Sequence, residues 1–325
     1  TLSGGETFLA SLPLALALKD HGHEVAFATG HSFGSAVQRG GFQHFPCGLD
    51  LSVEPNNIFE RLPDWDTVKA KYPSAGPRQV YGFVQALGPR MADDIIELME
   101  NWRPHVIVRD PLEFGGYIAA DTYRIPHATI TWAVYINPKN LCPEALVDLR
   151  RRYRLPDDPE LATLDRYLVF NFLPPIWQFP MAPFPPVTHR ICAPPFDASG
   201  ADHLPDWIDA LPARPTIYAT LGTTFNQSPA TIRAILAAVS SAEVNAVITV
   251  GRSMDPAQFQ PLPAHIHLEQ YIPQTLLLPR CDAVLFHGGS NSFHAALWPG
   301  PPMVLTPLGA VGPSPARFLS VELGG

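Results

Sequence analysis

Residues 283–292 read Ala283-Val284-Leu285-Phe286-His287-Gly288-Gly289-Ser290-Asn291-Ser292. A short apolar run feeds a pair of glycines, and Ser-Asn-Ser then opens a helix reaching about Trp298. A short apolar run of that kind fits a strand. Small residues let a backbone approach a ligand closely. The unpaired N–H groups of a first helical turn, with the helix dipole, favour an anion, typically phosphate. The hydroxyls of Ser290 and Ser292 add donors. His287 stands at the carboxyl end of the strand, where open α/β sheets bind ligands. The same residues would also make an ordinary strand–helix turn with a serine cap, so the loop alone leaves both readings open.

Outward from this loop the strand–helix alternation continues. Upstream, 216–221 is a strand closing on Gly222-Thr223, 231–239 a helix, 244–250 a strand ending in Gly251, 266–268 a short strand and 275–278 a short helix. Downstream, 303–305 is one more strand. Two anion-friendly loops at the carboxyl edge of one sheet, Leu221-Gly222-Thr223-Thr224 and 287–292, suit a diphosphate. Between them lies Gln270-Tyr271-Ile272-Pro273-Gln274. There a tyrosine ring would stack on a base and Gln274 would hydrogen-bond it; a core tyrosine beside a turn proline is the alternative.

The first half follows the same pattern. A helix over 9–18 stops at Gly22, and 23–28 is a strand. Pro89 opens a helix at its first position, with Met91, Ile95, Leu98, Met99 and Trp102 on one face. Val106-Ile107-Val108 is a buried-strand run with Asp110 just past its end, followed by a helix over 114–123 and a strand over 128–131. Residues 1–140 therefore read as an open parallel α/β sheet. Prolines crowd into 174–215, which reads as a stiff connector. The boundary falls there, giving domains 1–187 and 188–325.

Composition bounds the partners. The chain has 325 residues, a little over twice the ~150-residue prior for one domain. Proline makes up 37 of them, more than double the ~5% average. Each interior proline costs a helix about 3 kcal/mol, so long-helix bundles are excluded. The net charge is −8, and no basic stripe marks a nucleic-acid partner. The one basic cluster, Arg150-Arg151-Arg152 with Arg154, reads as a solvated helix face. Cys47, Cys142, Cys192 and Cys281 are scattered singly, which indicates neither a zinc site nor a disulfide framework. No apolar run reaches ~18 residues and no signal-peptide pattern is present, so the expectation is a cytoplasmic protein with no membrane partner.

The motifs carry a resemblance. Leu221-Gly222-Thr223, Tyr271-Ile272-Pro273-Gln274, and Cys281-Asp282-Ala283-Val284 running into His287-Gly288-Gly289 occur in order. Together they resemble the nucleotide-sugar signature of the GT-B glycosyltransferases, in the bacterial natural-product branch that decorates macrolides, enediynes and glycopeptides. Pro13-Leu14-Ala15, Gly22-His23-Glu24-Val25, Arg103-Pro104 with Asp110-Pro111, and Leu173-Pro174-Pro175 resemble the acceptor domain of that branch. The likeness spans nearly the whole chain.

The resemblance implies two Rossmann-like parallel-sheet domains facing across a cleft. Residues 1–187 would bind acceptor, with a first strand missing. Residues 188–325 would bind a TDP- or UDP-sugar, with C-terminal elements missing. The reaction implied is inverting transfer of a hexose or deoxyhexose to a hydroxyl of an apolar aglycone, with no metal and no cofactor beyond the nucleotide sugar. Gly222, Thr223, Tyr271, Ile272 and Gln274 would serve the donor, with Tyr271 on the base where tryptophan is commoner. His287, Gly288, Gly289, Ser290, Asn291 and Ser292 would hold the diphosphate. The family's usual first-loop histidine has no counterpart in residues 1–20. Glu6 is then the implied base; one extra residue before Pro13 brings Thr7 into contention. Asp110 matches the aspartate that orients the usual histidine, with a helix cap as the alternative. Phe59, Phe83, Trp132 and Trp177 lie in breaker-rich segments that would wall the acceptor site. Val311-Gly312 stands where the family carries an Asp-Gln pair on the sugar, and Pro315 replaces its asparagine. Asp64-Trp65-Asp66 mimics a metal motif of the other glycosyltransferase fold and reads as chance. These departures keep two rivals open: a non-catalytic binding or auxiliary protein, and a nucleotide-sugar epimerase of the same fold. A homodimer is compatible with the sequence.

Overall fold

The structure is a computed structural model describing residues 5–50, 65–72, 81–131, 137–140, 142–172, 184–192, 203–222, 228–251 and 254–306. It divides into two compact units, Thr1–Ala193 and Pro194–Gly325.

The first unit opens with α1 (Gly5–Asp20), whose apolar residues Phe8 and Leu12 are buried. Gly22 ends it at φ +83, where the His23 N–H reaches back to the Leu18 carbonyl at 3.0 Å. A residue with a side chain would be strained in that left-handed conformation. β1 (Ala26–Thr29) and β2 (Gln43–Pro46) pair in parallel around α2 (Gly34–Arg39). Phe27 stacks edge-on between Phe8 and Phe42, with centroids 5.0 and 5.2 Å away. After α3 (Trp65–Lys71) and a π-helical turn at Phe83–Leu87, α4 (Gly88–Met99) buries Met91, Ile95 and Met99, as the spacing expects. A four-stranded parallel sheet follows, in the order β3 (Ile107–Arg109), β4 (His127–Thr131), β5 (Leu168–Asn171), β6 (Thr188–Arg190). α5 (Gly115–Tyr123) connects β3 to β4, and α6 (Pro143–Arg152) lies between β4 and β5.

Several details differ from the sequence reading. β5 and β6 lie beyond residue 140, where the parallel sheet was expected to finish. β6 pairs with β5, so the strand that follows the expected 187/188 boundary belongs to the first unit's sheet. The arginine run is not uniformly solvated. Arg151 and Arg152 are exposed, but Arg150 is 2% exposed. It sits four residues after the buried Leu146, on the same helix face.

Among the described residues of the second unit, the strands form a five-stranded parallel sheet in the order β11-β10-β7-β8-β9. Its strands are β7 (Thr216–Thr220), β8 (Asn245–Thr249), β9 (Ile266–Glu269), β10 (Ala283–Phe286) and β11 (Met303–Leu305). The helices are α7 (Pro229–Val239), α8 (Gln274–Leu277) and α9 (Ser290–Leu297). β8 is buried at every position, as a central parallel strand is, with Ala246, Val247 and Ile248 apolar and Asn245 and Thr249 hydrogen-bonded at its two ends. At the amino edge the Asp282 carboxylate accepts the Thr216 N–H at 2.8 Å, and the Asp282 N–H donates to the Thr216 carbonyl at 2.8 Å. This pair sets the register in which Phe286 faces Thr220.

Candidate functional site

The strand order places the site. The chain runs from β7 to β8 and β9 on one side, then returns across β7 to β10 and β11 on the other. The connections leaving the carboxyl ends of β7 and β10 therefore diverge, leaving a crevice between them. Because Thr220 and Phe286 are in register, the residues that follow each of them, Leu221-Gly222 and His287-Gly288-Gly289, enter that crevice side by side.

The two loops touch. Gly222 has φ +75, and its N–H donates to the Thr220 hydroxyl at 3.1 Å. A Cβ on Gly222 would lie 2.9 Å from Nε2 of His287 and closer still to Cε1. A Cβ on Gly289 would lie 2.6 Å from Cε1 of the same ring and closer still to Nε2. The imidazole thus fills the space that side chains on both glycines would need. His287 is buried, and its Nδ1 has no hydrogen-bond partner. Burial pushes its pKa below the ordinary imidazole value, outweighing the opposite influence of the Thr220 backbone, so the ring is neutral near pH 7.

α9 begins at Ser290 with Gly289 as its cap residue, and no side chain caps its first turn. The first-turn N–H groups lack intrahelical partners by geometry. The Ser290 Oγ is buried without a partner, Ser292 is buried, and Asn291 is half-buried. Gly288 takes φ +87, which turns the chain from strand into helix. A buried orphan hydroxyl, a buried orphan imidazole nitrogen and an uncapped helix start together form a surface of unmet polar groups suited to an anionic ligand.

Tyr271 follows β9 at the same sheet edge, two strands from β7. At a strand spacing of ~4.8 Å that is about 10 Å across the sheet. Tyr271 and Gln274 are half-buried, whereas Ile272 is fully buried. Gln274 is the first residue of α8. Thr220 is a polar group at this edge that the sequence reading passed over. It is buried and takes hydrogen bonds from Gly222 and from the Thr249 hydroxyl, the latter at 3.0 Å.

In the first unit, Asp110 lies just past β3, as expected, and is buried. It does not cap α5. Its carboxylate accepts the Leu112 N–H at 3.0 Å, while the Glu113 carboxylate takes the Gly116 N–H at 2.9 and 3.0 Å. Glu113 is buried, and desolvation pushes its pKa up. Arg109, also buried, donates to the carbonyls of Asp110, Glu113 and Leu164. Neither Glu113 nor Arg109 was singled out from sequence; a charged residue at the end of an apolar strand is the signal that was available. Glu6 and Thr7 fall in the first turn of α1, not in a loop, and their side chains lie outside the described residues. Phe83 is half-buried and packs against the core cluster around Tyr117. Phe59, Trp132, Trp177, Thr223 and Val311-Gly312 lie outside the described residues. Among the described residues no helix is long and apolar enough to cross a membrane.

Comparison with known proteins places this geometry. The N-terminal domain model of the erythromycin biosynthesis protein CIII-like family matches residues 16–222, and the C-terminal domain model matches 233–321. The aclacinomycin-T 2-deoxy-L-fucose transferase of Streptomyces galilaeus is 27% identical, over 92% of this chain and 76% of its own. The 10-deoxymethynolide desosaminyltransferase of Streptomyces venezuelae is 26% identical, over 90% and 76%. Among solved structures, the glycosyltransferase VinC in complex with DTDP superposes with a TM-score of 0.77 at 21% identity, covering 98% of this chain and 83% of that one. SnogD, a glycosyltransferase from Streptomyces nogalater, gives 0.75 at 23% identity over 98% and 82%. The fold is GT-B, with two Rossmann-like α/β units.

Proposed function

This chain belongs to the erythromycin biosynthesis protein CIII-like family of glycosyltransferases, and from that premise we propose that it transfers a hexose or deoxyhexose from a TDP-sugar to a hydroxyl of an apolar natural-product aglycone. The second unit takes the donor and the first the acceptor. The acceptor oxygen attacks the anomeric carbon in line, and the bond from that carbon to the diphosphate oxygen breaks with inversion. Glu6 receives the acceptor proton, and burial is what would lift its carboxyl toward a useful basicity. The diphosphate leaves with its charge on the donors at 287–292. Fixed hydrogen-bond donors at that point do the work a metal ion does elsewhere, so the transfer is read as metal-independent.

One observation carries this reading: the crevice at the carboxyl ends of β7 and β10 brings together an uncapped helix start, a buried orphan serine hydroxyl and a buried neutral histidine. The first-turn N–H groups, the Ser290 Oγ and the His287 Nδ1 have no hydrogen-bond partner among the described residues of the unit, and an oxyanion would supply one. The epimerase and auxiliary-protein rivals find no support, since the relatives named above are transferases by name. Calorimetric titration with TDP and UDP tests the proposal. Saturable binding of TDP is expected; no heat from either nucleotide at millimolar concentration ends it. A Glu6→Gln variant should bind TDP as the parent does yet lose transfer, and full activity in that variant removes Glu6 as base.

A further inference from the structure

We infer that Gly222 and Gly289 are positioning residues that hold the His287 imidazole between them, and that they act on the ligand through that ring, not by admitting the ligand to the backbone. The inference rests on the reading of this crevice as a nucleoside-diphosphate site. Glycines beside a phosphate are ordinarily explained by close backbone approach or by a turn that needs φ > 0. That explanation covers Gly222 at φ +75 but not Gly289. Gly289 has φ −66 and ψ 140, which any residue adopts, and it occupies a helix cap position where serine, threonine or aspartate would add a hydrogen bond. What bars a side chain there is the His287 ring, with Cε1 at 2.6 Å from the Cβ position. Gly222 meets the same Cε1–Nε2 edge of the ring from the neighbouring strand's loop. Nδ1 makes no hydrogen bond and the Thr220 backbone is the ring's polar neighbour, so the two close approaches are what confine the ring along its Cε1–Nε2 edge. Two missing side chains define the slot.

The far end of a side chain moves more easily than a backbone. A methyl group at 289 is therefore expected to displace the ring and leave the fold standing. The test is a double-mutant cycle on the full chain, read by TDP affinity. Gly289→Ala should weaken TDP about ten- to a hundredfold, the size of a lost hydrogen bond to a charged group, with an unchanged far-UV spectrum. His287→Ala should weaken it comparably, and Gly289→Ala added to His287→Ala should cost nothing more. Equal losses in both backgrounds would show the glycine serving the ligand directly and overturn the inference, as would an unaffected Gly289→Ala protein. If Gly289→Ala does not fold, the double variant must, since the clash is gone; a double variant that also fails to fold rejects the slot. Gly222→Ala is the second probe. Its backbone strain lowers stability in both backgrounds, but its effect on TDP should vanish with the ring. Should the parent bind no TDP, the donor-site reading fails by itself. The slot is then judged by the NMR resonance of the His287 Cε1–H, which Gly289→Ala must shift; an unmoved resonance rejects it.

Discussion

Around Tyr117 in the first unit, charged side chains meet hydroxyls and carboxylates; at the carboxyl edge of β7 and β10 in the second, the Ser290 hydroxyl and the His287 Nδ1 are left over. Arg150 donates to the Tyr117 hydroxyl at 2.6 Å, to Asp121 at 2.5 Å and to Thr163 at 2.9 Å. Arg109 and Arg150 both stack on the Tyr117 ring, 5.6 and 5.4 Å from its centroid. Asp158 receives the Thr163 hydroxyl and two backbone N–H groups. This set ties α5, α6 and the 156–165 segment together, although Arg109 Nε, Arg150 Nε and His127 Nδ1 within it are also buried without a partner. Each of those three residues makes other hydrogen bonds that anchor it. The Ser290 Oγ is the only polar atom of its side chain and has no partner at all. Leaving a buried polar group unmet costs stability, and a donor diphosphate at the β7–β10 edge would offset that cost.

The largest test breaks the Tyr117 set. Arg150→Ala leaves Asp121 and the Tyr117 hydroxyl without their cation, and breaking a buried pair in this way costs about 3–5 kcal/mol. Urea denaturation should show that loss, while TDP affinity of the folded fraction stays at the parent value. A loss under 1 kcal/mol would mean the set is not the structural tie described here.

How much of this could be read from the sequence follows the same division. Strand β10 and the start of α9 were legible because a short apolar run, two glycines and three small polar residues leave little freedom. β6 was not legible. Its three residues, Thr188-His189-Arg190, carry no apolar pattern, and it is a strand only because β5 lies beside it. Arg150 was misread because charge in a run suggested solvent, whereas its place relative to Leu146 put it inside. The pair Gly222 and Gly289 was legible as a motif, but the ring between them needed coordinates. Glu6 and Thr7 were legible only through the family resemblance, because two residues at the start of a helix carry no chemical signal of their own.

A second test sharpens the contrast between two histidines. His127 belongs to the Tyr117 set through one nitrogen, its Nδ1 being as unpartnered as that of His287. It is 2% exposed, its Nε2 faces the Thr163 carbonyl at 3.1 Å, and burial with the nearby Arg109 charge pulls its pKa down to about 3. In the unfolded chain it titrates near 6.5. Below that pH the unfolded state binds a proton that the folded state refuses. Stability therefore falls as the pH drops from 6.5 towards the folded value, by about 1.4 kcal/mol per unit for one proton, or about 3 kcal/mol by pH 4. Comparing the pH dependence of unfolding in the parent with that of His127→Gln should show the variant losing less between pH 6.5 and 4. Parallel curves would reject the assignment.

The smallest effect compares two helices of the same sheet. The start of α7 is satisfied from within, because the Ser228 Oγ accepts the Thr231 N–H at 3.4 Å and Pro229 has no N–H to satisfy. The start of α9 has only Gly289. If caps sort structural helix starts from ligand-binding ones here, Ser228→Ala should lower stability by about 1 kcal/mol and leave TDP affinity within twofold of the parent. Added TDP should raise the unfolding temperature of parent and variant by equal amounts, because its linkage energy depends only on affinity and concentration. A Ser228→Ala protein that loses TDP instead would place the ligand at α7 as well, and the open start of α9 would no longer distinguish the donor loop.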